Sequence, residues 1–476
     1  MISARDSTIR RIALAAGLAA LVSSCQTPMV MIPDDIGDRG LLVAQISAAR
    51  IADINVATPV IDNKQYQFGM RDGFIVIALD PGEHEFDYLT INVGSNITGS
   101  SPYGRTSIQA TRTYPINKRV KIEAGRFTSV GLLMIEPGGR TGEEAKKFRL
   151  FSLDNSADMA TFLRESHPSL FASMKNRTPL VGEGPYLNAE QTRQLREAIA
   201  IDMARKRQAV NEPFDYVGGP AGTLARIDQG ANGRAQVKVF DTGTLADFSR
   251  CSTAAWGAAC LKSSSEYVFV KGGTLSVRQV PAGIVANSAH VFGDKGVMLI
   301  DHSMNIYSSF DGGDNWTKYA GVALAKPVEP NTTWPDPKNR FAMQAGRSGY
   351  YIYVRNMGAD VTRMVYFDAA KREFTPMPLP GTVEYISAVR ETDEGVFIGP
   401  SHTLIAHGKV HLLPRGDKTW TVRDVPQAAC TDMALPDNRG RRLEVLCAAT
   451  VVMRSEDSGM TWTRVPYAGS LFWAKN

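Results

Sequence analysis

Beyond residue 25, the sequence has no apolar run long enough to cross a lipid bilayer as a helix. It also has no cluster of basic residues interleaved with aromatics, and its 53 basic and 48 acidic residues nearly balance, so nucleic acid is not an expected partner. Glycine-rich phosphate loops and the G-x-S-x-G and H-E-x-x-H motifs are absent as well. We therefore expect no metal ion, no cofactor and none of the catalytic sites that these motifs form.

The first 24 residues have the layout of a secretory signal peptide. Three arginines precede an apolar run over residues 12–22, and two serines then lead to Cys25. The segment from Val22 to Cys25 resembles the lipobox of bacterial lipoproteins. This resemblance implies cleavage before Cys25, acylation of that cysteine with chains such as palmitate, and anchoring to a membrane. Gln26 after the cysteine implies the outer membrane, on its periplasmic or surface side; the alternative is an ordinary signal peptide with an incidental cysteine.

Cysteine is scarce, with four residues besides Cys25. An even number in an exported chain predicts two disulfide bonds. Cys430 and Cys447 are about equally distant from a turn over residues 436–440, so they can face each other across a hairpin. Cys251 and Cys260 would close a short loop. A metal site is the alternative, but neither pair has the short C-x-x-C spacing that zinc favours.

Residues 25–41 predict an extended tether, and residues 42–150 predict short β-strands. The Gly- and Ser-rich stretch over residues 94–105 predicts a mobile loop. The segments Val60-Ile-Asp-Asn-Lys64, Pro81-Gly-Glu-His84 and Ile122-Glu-Ala-Gly125 resemble motifs of the PEGA-like β-sandwich of small bacterial lipoproteins. Asn63 and Phe127 depart from the family's glycine and tyrosine. The resemblance implies a structural or partner-facing module.

Residues 151–215 predict a helical connector that acts as a hinge. Ser156 can cap a first helix, and Asn188 with Gln191 makes a capping-box-like start for a second. Apolar positions 195, 199 and 203 recur at helical spacing, so this stripe should pack on a neighbour. Several basic residues surround the stripe: Arg193, Arg196, Arg205, Lys206 and Arg207. They predict a solvated face, with contact to anionic lipid as the alternative.

From residue 216 to 476 the sequence predicts short strands and turns, with two copies of the pattern Ser-x-Asp-x-Gly-x-x-Trp. The eight residues are Ser309, Asp311, Gly313, Trp316, Ser455, Asp457, Gly459 and Trp462. The pattern resembles the Asp-box, or BNR repeat, of sialidase-like β-propellers. Weaker relatives lie over residues 367–374 and 415–420. The four segments end on aromatic residues at 316, 374, 420 and 462. Because one blade takes about 40–50 residues, a propeller of about six blades is expected.

The Asp-box residues are expected to be structural. The aspartate should accept backbone N–H groups in the turn between the third and fourth strands of a blade. The glycines allow backbone conformations or close contacts that a side chain would prevent, and the tryptophans bury a large ring between sheets. In the propellers that the pattern resembles, the box lies away from the ligand site. We therefore expect no catalytic residue here.

A sialidase would need three arginines around a carboxylate and a Tyr–Glu pair. Candidate arginines occur at positions 347, 355, 363, 390 and 454, but the Arg-Ile-Pro-type motif of the family is absent. Only Glu384-Tyr385 suggests the pair, and neighbours on a strand point to opposite faces. His402, His407 and His411 could hold a metal, but no acidic residue in the segment completes such a site.

The fold predicted from these patterns is mainly β: an N-terminal β-sandwich, a short helical connector and a C-terminal propeller. The expected function is a membrane-anchored, non-catalytic scaffold or protein-binding module of the bacterial cell envelope. The alternative is a surface lipoprotein that binds or hydrolyses glycans.

Overall fold

The structure is a computed structural model and describes residues 32–48, 54–69, 73–101, 104–137, 148–208, 215–229, 235–248, 251–301, 305–319, 341–354, 364–381, 383, 386, 388–401, 407–435, 439–447 and 451–466. The chain is mainly β, with an N-terminal sandwich, a helical segment and a C-terminal propeller. The predicted signal peptide and Cys25 lie outside the described residues.

Ten strands form the sandwich: β1 Gly40–Ala48, β2 Ile54–Ile61, β3 Lys64–Gln65, β4 Phe68–Gly69, β5 Phe74–Leu79, β6 Gly82–Ser101, β7 Gly104–Ile122, β8 Phe127–Pro137, β9 Phe148–Leu153 and β10 Leu180–Val181. One sheet has the order β10-β8-β1-β5, with β9 paired to β8, and the other has the order β3-β2-β6-β7, with β4 paired to β2. Apolar side chains from both sheets, such as Leu42, Ile77, Phe86 and Leu133, form a common core. This two-sheet packing buries one face of each sheet.

The PEGA-like segments meet at one turn of the sandwich. Asp62 accepts a hydrogen bond from the backbone N–H of Glu85 at 2.9 Å, and its other oxygen lies 2.6 Å from Nδ1 of His84. Asn63 has a φ of 62°, a left-handed conformation that asparagine tolerates better than most residues. The departure from glycine at this position is therefore compatible with the turn.

Two expectations for this domain were wrong. Residues 94–101 and 104–105 continue β6 and β7 as a paired ribbon, with Gly94 opposite Gln109 and Thr98 opposite Ser107, rather than forming a mobile loop. Backbone groups make this ladder, so small polar side chains do not prevent it. The predicted tether is also too long, because Ile36 is buried against the sheet and β1 begins at Gly40.

Three helices follow: α1 Ser156–Ser166, α2 Pro168–Ser173 and α3 Ala189–Gln208. Asn155, rather than Ser156, is the N-cap residue of α1. The predicted capping box of α3 is present, since Asn188 and Gln191 exchange backbone-to-side-chain hydrogen bonds of 3.0 and 2.9 Å. No helix among the described residues is long and apolar enough to span a membrane.

The described residues of the propeller form six sheets, each of which is one blade. Blade 1 has three strands: β11 Tyr216–Gly219, β12 Thr223–Gln229 and β13 Ala235–Val239. The next three blades have four strands each: blade 2 has β14 Ser252–Ala254, β15 Gly257–Leu261, β16 Glu266–Lys271 and β17 Thr274–Gln279; blade 3 has β18 Ala286–Phe292, β19 Gly296–Asp301, β20 Ile306–Ser309 and β21 Thr317–Tyr319; blade 4 has β22 Phe341–Ala345, β23 Gly349–Val354, β24 Met364–Asp368 and β25 Glu373–Met377. The last two blades also have four strands each: blade 5 has β26 Ala388–Glu391, β27 Gly395–Ser401, β28 His407–Pro414 and β29 Thr421–Ala428; blade 6 has β30 Cys430–Ala434, β31 Leu443–Cys447, β32 Val451–Ser455 and β33 Thr463–Val465. Buried apolar side chains join each blade to the next, from blade 1 to blade 6.

The helical segment is packed on both domains and is not a hinge. Met159 of α1 is buried against Val43 and Phe127 of the sandwich. Helix α3 lies between the domains: one side packs against the sandwich through Leu195 and Ile199, and another packs on blade 1. The apolar stripe predicted from the sequence therefore has two neighbours.

Three charged side chains fix the helices to propeller loops. Asp158 accepts hydrogen bonds from Oγ1 of Thr244 and the backbone N–H of Leu245, both at 2.7 Å. Glu165 accepts hydrogen bonds of 2.6 to 2.8 Å from the backbone N–H and hydroxyl of Ser264 and from the hydroxyl of Ser265. Burial alone would raise the pKa of Glu165, but these hydrogen bonds outweigh it and lower the pKa below its usual value.

The third charged side chain corrects the prediction of a solvated basic face. Arg196 is 8% exposed and donates to the carbonyl oxygens of Ala221 and Thr244 at 2.8 and 2.9 Å. Arg193 follows the prediction, because it is exposed and pairs with Glu190 and Glu197 on its own helix. The side chains of residues 205–207 lie outside the described part.

Candidate functional site

The two Asp-boxes form the turns between the third and fourth strands of blades 3 and 6. In blade 3, Asp311 accepts hydrogen bonds from Oγ of Ser309 at 2.6 Å and from the backbone N–H groups of Asp314 and Asn315 at 3.1 and 3.0 Å. The bond from Ser309, followed by those from Asn315, holds the pKa of Asp311 far below its usual range. The carboxylate is thus occupied by its own turn.

The second box repeats this arrangement. Asp457 accepts the hydroxyl and backbone N–H of Thr461 at 2.6 and 2.8 Å and Oγ of Ser455 at 2.8 Å. These bonds lower the pKa of Asp457 to about 2, the contact with the Thr461 hydroxyl being the largest cause. An acid that stays ionised and bonded within its turn is poorly suited to proton transfer near neutral pH.

Glycine and tryptophan complete each box. Gly313 has a φ of 101°, and a Cβ atom there would lie 2.1 Å from the hydroxyl of Tyr267. Trp316 meets Tyr267 edge to face, with ring centroids 6.3 Å apart, and so links blade 3 to blade 2. Gly459 has a φ of 86°, and Trp462 packs against the core shared by blades 5 and 6. The two weaker relatives also lie between third and fourth strands, in blades 4 and 5.

Both predicted disulfide bonds are present. Cys430 and Cys447 are bonded and are direct partners across β30 and β31, which confirms the hairpin prediction. Cys251, directly before β14, is bonded to Cys260 of β15, so this bond lies at the first hairpin of blade 2.

The candidate residues for a sialidase site are only partly described. Arg347, Arg390 and Arg454 belong to blades 4, 5 and 6, and Arg454 binds the buried Glu444 of its own blade at 2.6 Å. His411 is buried whereas His407 is exposed, so the two do not share a face. Arg355, Arg363, Glu384, Tyr385 and His402 lie outside the described residues. Among the described residues, no cluster of three or more His, Cys, Asp or Glu could hold a metal ion.

A groove of about 300 Å³ opens between blades 4 and 5. It lies beside two turns of blade 5, the turn between its first and second strands and the turn between its third and fourth strands. Its apolar and aromatic lining comes from both blades: Tyr351, Tyr366, Met377, Val396, Leu413 and Pro414. Glu391, Arg415 and Asp417 contribute charged groups. A concave, largely apolar surface with a few polar groups is the usual composition of a binding site.

Hydrogen bonds between the blades hold the groove in shape. Oε2 of Glu391 in blade 5 accepts the hydroxyl of Tyr351 and the backbone N–H of Arg347 in blade 4, both at 3.0 Å. The guanidinium of Arg347 pairs in turn with Asp393. At the outer edge, the indole of Trp420 donates to the carbonyl oxygen of Pro378 at 2.8 Å. The two walls are therefore fixed relative to each other.

Tyr351 and Glu391 form a hydrogen-bonded pair across the two blades. Burial, reinforced by the adjacent Glu391 carboxylate, raises the pKa of Tyr351 far above its usual value. The phenol therefore stays neutral and donates its proton in a hydrogen bond. The groove also lies beside the turn over residues 415–420, one of the weaker relatives of the box, whereas the resemblance to sialidases places the ligand site away from such turns.

No protein-family model matches the chain, and no curated protein matches it significantly. Solved structures do match. The chain is similar to YCF48 bound to a D1 peptide, at 15% identity over 52% of this chain and 76% of that chain, with a TM-score of 0.37. It is similar to AztD of Citrobacter koseri, at 9% identity over 55% and 76% of the two chains, with a TM-score of 0.35. It is similar to a GH74 enzyme of Niastella koreensis, at 14% identity over 56% of this chain and 40% of that chain, with a TM-score of 0.32. These values concern the fold alone.

Proposed function

We propose that this chain is a lipid-anchored, non-catalytic scaffold of the bacterial cell envelope whose propeller binds a protein partner. The observation that carries the proposal is the groove between blades 4 and 5. Its walls are held by hydrogen bonds, and its surface is mostly aromatic and aliphatic. A preformed groove of this kind costs little ordering when a partner binds.

Two features support a location in the cell envelope. The segment ending at Cys25 resembles a lipobox, and acyl chains on that cysteine would give attachment without a membrane-spanning helix. The two disulfide bonds in the propeller fit an oxidising compartment. The packing of helix α3 on both the sandwich and the propeller would then link the groove to the anchored domain.

Two observations support a non-catalytic role. The Asp-box carboxylates are bonded within their own turns. The arginine pairs of blades 4 and 6 leave Arg347 and Arg454 already bound to acids of the chain itself.

Binding of a glycan is the second candidate function. It is favoured by the two tyrosine rings in the groove, whose centroids lie 5.0 Å apart, next to a carboxylate. Purified mature protein should show no turnover of fluorogenic sialosides or other aryl glycosides. Turnover that disappears in Glu391→Gln would replace the scaffold proposal with a glycosidase.

Site-specific photocrosslinking in living cells tests the protein-binding proposal. The photoreactive residue p-benzoylphenylalanine is placed at Thr375, an exposed position that lines the groove on the fourth strand of blade 4. The matched control is Val277, which is 46% exposed on the fourth strand of blade 2. We expect a discrete protein adduct from position 375 only. Identical adducts from both positions, or none from either, would contradict the proposal.

A further inference from the structure

We infer that the groove between blades 4 and 5 recognises a cationic side chain, an arginine or a lysine, on the protein partner. This inference rests on the proposed function and specifies the chemistry of its binding site.

The first argument is the unused half of the Glu391 carboxylate. Both of its hydrogen bonds in the described part of the chain, from Tyr351 and from Arg347, end on Oε2. Oε1 accepts none there, although a carboxylate can accept about four hydrogen bonds in total. An N–H donor that carries a positive charge makes the strongest bond to such an oxygen.

The second argument is the pair of aromatic rings that line the groove together with the Glu391 carboxylate. Tyr351 and Tyr366 both line the groove, and their rings are 5.0 Å apart with planes tilted by 49°. The faces of tyrosine rings attract cations, and arginine also stacks on them. Met377 and Leu413 give an apolar surface for the methylene stem that leads to the charge.

The third argument is that the cations of the chain are already engaged around the groove. Arg347 is paired with Asp393, and Nη2 of Arg415 donates to the carbonyl oxygen of Thr392 at 3.0 Å. Of the charged residues that line the groove, Glu391 and Asp417 are acidic and Arg415 is basic, so the lining carries a net charge of −1. A cation from outside would complement this charge.

Solution NMR with three small probes tests the inference on the mature protein. The probes are the methylamides of N-acetyl-arginine, N-acetyl-lysine and N-acetyl-norleucine, the last being uncharged with a similar stem. We expect the two cationic probes to shift the ring signals of Tyr366 with millimolar affinity and the norleucine probe to leave them unchanged. Equal shifts from all three probes, or shifts from methyl glycosides but not from the cations, would overturn the inference.

Glu391→Gln tests the role of the charge. The amide oxygen of glutamine can still accept the bonds from Tyr351 and Arg347, so the fold should persist while the negative charge is lost. We expect affinity for the cationic probes to fall about tenfold. Glu373→Gln, an exposed position on β25 outside the groove lining, is the control and should leave affinity unchanged. Unaltered affinity in Glu391→Gln would refute the assignment.

The outcome separates this inference from the proposed function. A protein adduct at position 375 without binding of the cationic probes would support the scaffold proposal and refute the inference that the groove recognises a cationic side chain. Binding of the cationic probes without any protein adduct would instead refute the proposal that the groove binds a protein partner.

Discussion

Replacing Arg196 by alanine tests whether the helical segment joins the sandwich and propeller into one cooperative unit. The guanidinium is 8% exposed and donates to the carbonyl oxygens of Ala221 and Thr244. In the variant, the carbonyl of Thr244 keeps a second donor, the hydroxyl of Thr242 at 3.2 Å. The missing hydrogen bond therefore affects mainly the carbonyl of Ala221. A hydrogen bond from a charged donor contributes about 1.5–3 kcal/mol. We therefore expect Arg196→Ala to lower the free energy of unfolding by about 2–4 kcal/mol.

The assay is urea unfolding followed by tryptophan fluorescence. All six tryptophans lie at residue 256 or later, so the signal reports only on the propeller, although Arg196 lies in the connector. Arg193→Ala is the matched control, since Arg193 is exposed on the same helix and pairs only with acids of that helix. Its unfolding midpoint should stay at the wild-type value. Equal midpoints for the two variants would refute the coupling argument.

Three further predictions concern stability. His290 and His411 are buried, and burial lowers the pKa of each from 6.5 to about 4. Because the unfolded chain binds protons at a higher pH than the folded chain, the contribution of each histidine to stability is complete above pH 6.5 and falls by up to about 3 kcal/mol as the pH drops toward 4. His411→Gln should flatten this pH dependence of the unfolding free energy in urea titrations at pH 7 and 4.5. Removing the Cys430–Cys447 bond by a double substitution to alanine should cost about 2–4 kcal/mol in the same assay, because the bond constrains the unfolded chain; an unchanged midpoint would contradict this. Asp311→Ala should lower the melting temperature without weakening partner binding, since the backbone donors of its turn lose their acceptor. Lost partner binding at an unchanged melting temperature would contradict the structural role of the box.

Local patterns predicted much of the fold. Ser-x-Asp-x-Gly-x-x-Trp can be recognised because the hydrogen bonds of its serine and aspartate lie within one turn, as the short bonds between Ser309, Asp311 and Asn315 illustrate. The Cys430–Cys447 pairing could be predicted because a hairpin places residues at equal distances from its turn opposite each other. The capping box of Asn188 and Gln191 is local in the same way.

Long-range contacts could not be predicted from these patterns. Tyr351 and Glu391 are 40 residues apart, and only the packing of neighbouring blades brings them together. Their separation is close to one blade repeat, which is the one signal in the sequence that could have indicated the groove. Arg196 was assigned to a solvated face because helical periodicity shows which positions are apolar, and gives no information on carbonyl groups that a neighbouring domain presents.

Membrane attachment has its own test. Cys25→Ser should release the protein into the soluble periplasmic fraction and abolish labelling by a clickable palmitate analogue, because the acyl chains provide the membrane affinity. Labelling that persists in this variant would contradict the lipoprotein assignment.

The central claim, that the groove binds a protein partner, is tested most directly by titration calorimetry with the crosslinked partner once it is purified. Thr375→Arg places a long side chain in the groove at an exposed position, and Val277→Arg makes the same change on blade 2. We predict that Thr375→Arg weakens binding by about a hundredfold, as expected when a contact near the centre of an interface is blocked, and that Val277→Arg binds like the wild type. Wild-type affinity in Thr375→Arg, with both variants folded, would contradict the account.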